Sequence, residues 1–123
     1  MAIAFRTAVE AGDLEALVAT LAPDVVFHSP VTFRPFQGKD SVAALFAILL
    51  ATFEDFRYVG RFEGDGGTVL HFRTRVGDRE VEGIDMIRTN AEGLIDDFTV
   101  MVRPLSAVLA LRDSIGARLG ARP

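Results

Sequence analysis

One carboxylate of the chain stands in an apolar setting. Asp85 lies in a segment where two sets of residues alternate, Val81, Gly83, Asp85 and Ile87 against Glu80, Glu82, Ile84, Met86 and Arg88. A period of two is typical of a strand. If the face of Asp85 is the inner one, desolvation raises the pKa of its carboxyl group and favours the neutral acid, which can donate a hydrogen bond. Asp85 is therefore a candidate catalytic residue; the alternative is a structural ion pair with Arg73 or Arg103.

Two more polar residues follow each other at the end of a short apolar run. His28 and Ser29 close the segment DVVFHS, directly before Pro30. A histidine at a strand end can serve as a general acid or base near neutral pH, so His28 is the second candidate catalytic residue. Its alternative is a rim histidine that bonds the loop backbone. Ser29 is either a turn-forming residue or a hydroxyl in a pocket, and no GxSxG context marks it as a nucleophile.

Composition argues against several other kinds of site. The chain has no cysteine and two histidines, so we expect no disulfide framework, no metal site and no cofactor. The glycine cluster at 64–67 lacks a lysine and a following helix, unlike a phosphate loop. With 13 Lys and Arg against 17 Asp and Glu, a nucleic-acid partner is not expected. The N-terminal segment is charged and the run 41–53 is too short to span a bilayer, so we expect a cytoplasmic protein without a membrane partner.

The first half of the chain predicts three helices and a strand. Helical periodicity broken at Gly12-Asp13 predicts helices over 2–11 and 13–21, the second capped by Asp13 and stopped by Pro23. A strand over 24–29 and a loop or short edge strand over 31–38 follow. Asp40 or Ser41 then caps a helix over 41–52, which is apolar nearly all round and hence expected to be buried on most faces.

From residue 55 the period changes to two. Turn signals at 64–67, 77–78 and 90–93 divide the region into an antiparallel meander whose last strand covers 94–103. In three of these strands the alternation assigns one set of side chains to one face. These sets are Phe56, Tyr58 and Phe62 in the first strand, Leu70, Phe72, Thr74 and Val76 in the second, and Phe98, Val100 and Val102 in the last. Pro104 opens a helix over 105–119 with an apolar stripe of Leu105, Val108, Leu109, Ile115 and Leu119. These elements predict one α+β domain over 1–123, with helices packed on one face of a curved sheet.

With its elements in this order, the chain resembles the NTF2-like superfamily of ketosteroid isomerases, SnoaL-like polyketide cyclases and limonene epoxide hydrolases. The segments that carry the resemblance are AGDLEALVATLAPDVVF, FHSPVTFRPFQGKDSVAALF and VEGIDMIRTNAEGLIDDFTV. Together with the order of the elements, they extend the resemblance over nearly the whole chain. The resemblance implies a cone-shaped fold, in which N-terminal helices and a C-terminal helix accompany a curved, mostly antiparallel sheet.

The resemblance also places the functional residues of the isomerases. Their neutral oxyanion-hole Asp falls on Asp85, in the segment IDMIR. Their general base, an Asp directly before proline, falls on Ser29, and their oxyanion-hole Tyr falls on Phe5. Neither residue can replace the lost group, so classical steroid isomerisation is not expected, and a different base such as His28 stays open. The Asp–Arg–Asp cluster of the epoxide hydrolases is not expected either, because the arginines alternate onto the other face.

The same resemblance predicts an apolar pocket around Asp85. The residues that would line it are Phe5, Phe27, Ser29, Phe46, Phe72, Phe98, Val100 and Val102. Such walls are typical of small-molecule sites, although the same side chains would also fill an ordinary core. One interpretation is therefore a protein that binds a small hydrophobic molecule, with isomerase-, cyclase- or hydrolase-type chemistry at Asp85. The other is a non-enzymatic carrier or a dimeric interaction module.

The strand of Asp85 is apolar on its second face as well. Apolar residues on the second face are most simply explained by another subunit that covers this face. We therefore expect a homodimer packed through the outer sheet face, with contacts from Ile84, Met86, Thr99 and Met101.

Overall fold

Helices cover one face of a curved sheet in the computed structural model, which describes residues 3–120, the last two by backbone alone. Within this range the elements are α1 (Ile3–Ala11), α2 (Leu14–Val18), β1 (Leu21–His28), β2 (Phe36–Gln37), α3 (Lys39–Thr52), β3 (Glu54–Gly64), β4 (Gly67–Val76), β5 (Arg79–Thr89), β6 (Ile95–Arg103) and α4 (Leu105–Gly120). The first predicted helix would begin at residue 2, which lies outside the described residues. No helix within 3–120 combines the length and the hydropathy that crossing a membrane requires.

The strands form one sheet in the order β2-β1-β6-β5-β4-β3. The pair β1–β6 is parallel and the other pairs are antiparallel. Strands β3 to β6 form the predicted meander, and the three predicted turns lie between them. Gly66 and Gly77 adopt positive φ angles of 77° and 61° in the two tight turns, a conformation that glycine adopts without steric cost. The predicted α+β class and mostly antiparallel sheet are confirmed.

The boundary between α2 and β1 differs from the prediction. Helix α2 ends at Val18, and β1 begins at Leu21, so Pro23 lies inside the strand and does not stop a helix. Leu21 pairs with Ile95, whose N–H donates to the Thr20 carbonyl at 2.8 Å. Because the register of β1 shifts between Leu21 and Val26, the exposed Pro23 interrupts no regular ladder.

Helix α3 provides much of the core, as its apolar sequence predicts. Its buried side chains are Val42, Leu45, Phe46, Leu49 and Thr52. The predicted cap is wrong, because Gly38 with a φ angle of 92° occupies the N-cap and no side chain bonds there. Asp40 lies in the first helical turn, where a negative charge is favoured by the helix dipole.

One predicted strand face is broken by a β-bulge. Phe56 and Tyr58 share a face, as predicted, and this face is the inner one, whereas Phe62 is 63% exposed. Tyr58 pairs with Phe72, but Gly60 already pairs with His71. The extra residue of β3 reverses which side chains face the core beyond it, so the assignment of Phe62 to the same face as Phe56 and Tyr58 is wrong.

The buried stripe of α4 also differs from the prediction. Leu105 is 71% exposed and Leu109 is exposed, while the buried residues are Ala107, Leu111 and, as predicted, Ile115. These three are spaced by four, and α4 packs with them against β5, β6 and α3 of its own chain. The small Ala107 allows the helix to approach the sheet closely. The side chain of Leu119, also assigned to the stripe, lies outside the described residues.

Candidate functional site

An apolar cavity lies between the inner face of the sheet and the helices. Its volume is about 390 Å³, which is near the lower end of the roughly 300–1,000 Å³ found for small-molecule sites. Its aromatic lining consists of Phe5, Phe27, Phe46, Phe53, Phe56, Tyr58, Phe72 and Phe98. Glu10, Ala11 and Gly12, which are the exposed members of the lining, place the mouth at the end of α1.

Two groups of aromatic rings form opposite parts of this lining. The Phe98 ring contacts Phe5, Phe27 and Phe46, at centroid distances of 5.1, 5.3 and 5.4 Å. In the second group the Phe56 ring lies 5.0 Å from Phe72. Phe5 therefore has a packing role, as expected for a residue without a hydroxyl.

Phe72 packs directly over a glycine of the neighbouring strand. A Cβ atom added to Gly83 would lie 2.5 Å from Phe72 Cζ and 2.6 Å from the Met101 carbonyl oxygen. Only a hydrogen fits there, so Gly83 permits the observed position of the Phe72 ring. The position of this part of the cavity wall thus depends on a residue without a side chain.

Asp85 lies in the middle of the sheet with its carboxyl group in this cavity. It pairs with Leu70 of β4 and with Val100 of β6, and it is 5% exposed. Burial raises its pKa from the ordinary 3.8 to about 7, and a hydrogen bond from Tyr58 opposes the rise. Around neutral pH the group is thus divided between the neutral acid and the carboxylate.

Tyr58 is the partner that sequence reasoning missed. Its hydroxyl donates to Asp85 Oδ2 at 2.8 Å. Burial first, and then the charge of Asp85, raise the pKa of Tyr58 well above 10, so the hydroxyl remains a donor. The inward alternation of β3 was a signal for its direction, and it is the only tyrosine of the chain. Its hydroxyl reaches Asp85 from β3, whereas the resemblance places the oxyanion-hole Tyr of the isomerases at Phe5 of α1.

The alternative reading of Asp85 as half of an arginine ion pair is wrong. Both Arg73 and Arg103 bind Glu82 instead, at 3.2 and 2.7 Å, on the outer face of the sheet. His71 also contacts this carboxylate, at 2.7 Å. Arg103 and His71 lower the pKa of Glu82 through their hydrogen bonds. The arginines are therefore satisfied on the face opposite to Asp85.

His28 also lies on the outer face. Phe27 is buried under the helices, so the next residue of β1 points away from the cavity. Its Nε2 lies 3.1 Å from Asp97 Oδ1 and both side chains are partly exposed. His28 does not belong to the lining of the cavity. His28 is therefore not placed to act on a ligand bound beside Asp85.

The remaining predicted wall residues are placed as follows. The lining contains Phe5, Phe27, Ser29, Phe46, Phe72, Phe98 and Val100. Val102 is not part of it, because it lies near the end of β6, where α4 begins. Ser29 combines its two alternatives, since it lines the cavity while its Oγ accepts the Val31 N–H at 3.1 Å. Across residues 3–120, no cluster of three His, Asp or Glu suited to a metal ion is found.

Asp85 and Tyr58 together can hold an oxygen atom or move a proton. The neutral carboxylic acid can donate a hydrogen bond to a carbonyl oxygen, and the carboxylate can accept a proton. A donor placed in an apolar, water-poor cavity stabilises developing negative charge more strongly than it would in water. The arrangement is suited to a ligand with an apolar skeleton and one oxygen.

Comparisons with known proteins place the chain among related sequences and folds. The family model of the SnoaL-like domain matches residues 2–98. A steroid delta-isomerase from Pseudomonas aeruginosa is 42% identical with a TM-score of 0.90, over 95% of this chain and 87% of that one. A bacterial protein with a cystatin-like fold from Silicibacter pomeroyi DSS-3 is 35% identical with a TM-score of 0.91, over 97% and 84%.

More distant structures share the fold alone. An NTF2-like protein of unknown function from Mesorhizobium loti has 18% identity and a TM-score of 0.72, over 81% of this chain and 85% of that one. No curated protein matches the chain.

Proposed function

The chain belongs to the family of SnoaL-like domains in the NTF2-like superfamily, and from this we propose that it binds a small apolar molecule with a carbonyl oxygen and moves a proton on it. The observation that carries the proposal is the Asp85 carboxyl group, buried in an apolar cavity with the Tyr58 hydroxyl as its hydrogen-bond partner. A buried carboxyl group is costly, and a site that uses it is one reason to retain it.

The size and lining of the cavity support a ligand with fused rings. A volume of about 390 Å³ suits a skeleton of two or more rings, and aromatic side chains favour apolar, flat surfaces. Asp85 and Tyr58 then provide the polar contact that fixes the orientation of the ligand. The carbonyl oxygen would accept a hydrogen bond from the neutral Asp85, whose Oδ2 continues to accept the hydrogen bond of the Tyr58 hydroxyl.

Proton transfer next to a carbonyl is the reaction that this pair supports best. Removal of a proton from the neighbouring carbon moves negative charge onto the oxygen, where the Asp85 acid, held in place by Tyr58, stabilises it. Isomerisation of a double bond and ring closure through an enolate both begin with this step. The relative from Pseudomonas aeruginosa is described as a steroid delta-isomerase, which favours a reaction of this class here.

The proposal can be tested with α-tetralone, a bicyclic ketone with exchangeable protons beside its carbonyl. Binding is followed by ligand-observed NMR, and exchange in deuterium oxide by loss of the α-proton signal. We expect the chain to bind the ketone and to accelerate the exchange, and Asp85→Asn to slow the catalysed exchange about 100-fold. The control is Asp78→Asn, a matched change of an exposed carboxylate in the turn between β4 and β5. Absence of binding, or equal exchange by Asp85→Asn, contradicts the proposal.

A non-enzymatic carrier is the second candidate function. It is favoured by Ser29, which stands where the isomerases have their base and whose Oγ is bonded to the Val31 N–H. A carrier would bind α-tetralone in the same cavity without accelerating exchange. Binding without exchange, in a protein whose cavity mutants lose binding, would therefore select this candidate.

A further inference from the structure

The cavity has a second carboxylate, at its mouth. Glu10 lies near the end of α1 and belongs to the lining, although it is exposed to solvent. It is the side chain of the lining whose charge, besides that of Asp85, raises the pKa of Tyr58. Glu10 is therefore close enough to sense the group that bonds Asp85.

Arg6 links this carboxylate to Tyr58. Its Nε donates to Glu10 Oε2 at 3.3 Å, one helical turn away along α1. The Arg6 guanidinium also lies 5.6 Å from the centre of the Tyr58 ring, within the range of a cation–π contact. Arg6 thus contacts Glu10 and Tyr58 at the same time.

Two carboxyl groups of one cavity lie in opposite surroundings. Asp85 is buried among apolar side chains, which favours its neutral form, whereas Glu10 meets water and a guanidinium group. Because the neutral Asp85 donates its proton to the ligand oxygen, the base must be another group of the cavity lining. Ser29 provides no base, because its hydroxyl cannot hold a proton taken from carbon.

We propose that Glu10 is the proton acceptor of the reaction. The inference rests on the proposed function, since it needs a ketone held at Asp85 and Tyr58. A Glu10 oxygen takes the proton from the carbon beside the carbonyl, and the electron pair of that bond forms the carbon–carbon double bond. The carbonyl π electrons move to the oxygen, which accepts the proton or hydrogen bond of Asp85. The reverse transfer returns a proton, or a deuteron from solvent, to carbon.

The test compares two glutamates of neighbouring helices in the α-tetralone exchange assay. Glu10→Gln removes the base but keeps the size of the side chain, and we expect exchange to slow about 100-fold with α-tetralone binding retained. Glu15→Gln is the matched control, because Glu15 is exposed on α2 and does not line the cavity. This variant is expected to catalyse the exchange of α-tetralone at the wild-type rate.

Chemical rescue separates a proton acceptor from a structural role. In Glu10→Ala we expect added formate, a small carboxylate that can enter the mouth, to restore part of the exchange in proportion to its concentration. The same formate is expected to leave Asp85→Asn slow. A change in folding is monitored by the unfolding midpoint, which should stay at the wild-type value because Glu10 is exposed.

The outcomes distinguish this inference from the proposed function. If Glu10→Gln catalyses the α-tetralone exchange at the wild-type rate, or if formate does not restore exchange in Glu10→Ala, Glu10 is not the proton acceptor. The proposed function still holds in that case if Asp85→Asn is slow. Binding without exchange in the wild-type protein overturns the role of Glu10 and selects the carrier. Absence of α-tetralone binding contradicts the proposed function itself.

Discussion

The Tyr58 hydroxyl donates a hydrogen bond of 2.8 Å to Asp85 Oδ2 across the sheet, from β3 to β5, with β4 between them. Tyr58 pairs with Phe72 of β4, and β4 pairs with β5 in one continuous antiparallel register. The two groups are therefore positioned by the sheet before any ligand enters, which lowers the cost of orienting them.

The buried Asp85 should make stability fall as pH rises. Its pKa is about 7 in the folded protein, against 3.8 ordinarily, so between these values the folded state retains a proton that the unfolded chain has lost. The contribution is fully present below pH 3.8 and is lost by pH 7 to 8, a total of roughly 4 kcal/mol at about 1.4 kcal/mol per pKa unit.

Comparison with Asp85→Asn isolates the contribution of Asp85 to the pH dependence of stability. All other titrating groups are present in both proteins, so their contributions cancel in the difference. We expect the unfolding free energy of the wild type, relative to Asp85→Asn, to decrease between about pH 4 and pH 8. Urea unfolding at several pH values measures the difference. A difference independent of pH would show that Asp85 titrates as in the unfolded chain.

Removal of the Tyr58 hydroxyl should raise the pKa of Asp85 above 7. The hydrogen bond from Tyr58 favours the carboxylate, so Tyr58→Phe destabilises the charged form and leaves the neutral acid less affected. Titration of the Asp85 carboxyl carbon by NMR measures the shift. An unchanged or lower midpoint would mean that the hydroxyl does not donate to the carboxylate.

Gly83→Ala should lower the unfolding free energy by about 2–3 kcal/mol. The new methyl group would meet the Phe72 ring and the Met101 backbone oxygen, and the backbone oxygen cannot rotate away. Gly64→Ala is the control, because nothing lies within 4 Å of its added Cβ. Chemical unfolding compares the variants, and equal stability of Gly83→Ala and Gly64→Ala would contradict the packing described.

We expect two copies to associate through the outer sheet face. Four residues that pair across β3, β4, β5 and β6 form a row on this face: Phe62, Val69, Met86 and Thr99. On the same face Ile84 pairs with Met101, which is 53% exposed. Apolar side chains on an outer face favour association. Met101→Glu should shift the protein to the monomer, whereas Leu105→Glu on α4 should not.

Sedimentation velocity distinguishes these states. The wild type is expected at twice the chain mass of 13.4 kDa. Sedimentation of the wild type as a 13.4 kDa species at micromolar concentration would contradict the association.

The alternation of β4, β5 and β6 was sufficient to group the side chains that share a face, because β4 pairs with β5 without a register shift, and β5 pairs with β6 in regular register from Glu82 to Arg88. The pattern placed Phe72, Asp85 and Val100 correctly. It failed for Phe62, because a bulge moves the register and leaves no mark in hydropathy. On α4 the helical pattern failed for Leu105. It selected the stripe of large apolar residues, whereas the helix buries a stripe that includes the small Ala107.

The partner of Asp85 could not be predicted from the same pattern. Alternation gives the face of a side chain but not its reach across two strands, so the inward direction of Tyr58 did not identify its contact with Asp85. The face on which His28 lies depends on the alternation of β1, and a shift of one residue along this short strand would reverse it. Its pairing with Asp97 on the outer face became visible only with the parallel β1–β6 register.

Titration of the Asp85 carboxyl carbon with and without saturating α-tetralone tests the central claim most directly. A carbonyl oxygen that accepts a hydrogen bond from the neutral acid stabilises that form, so we predict that the pKa rises above its free value of about 7. A midpoint unchanged by a ligand that saturates the protein would contradict the claim that Asp85 contacts the ligand oxygen.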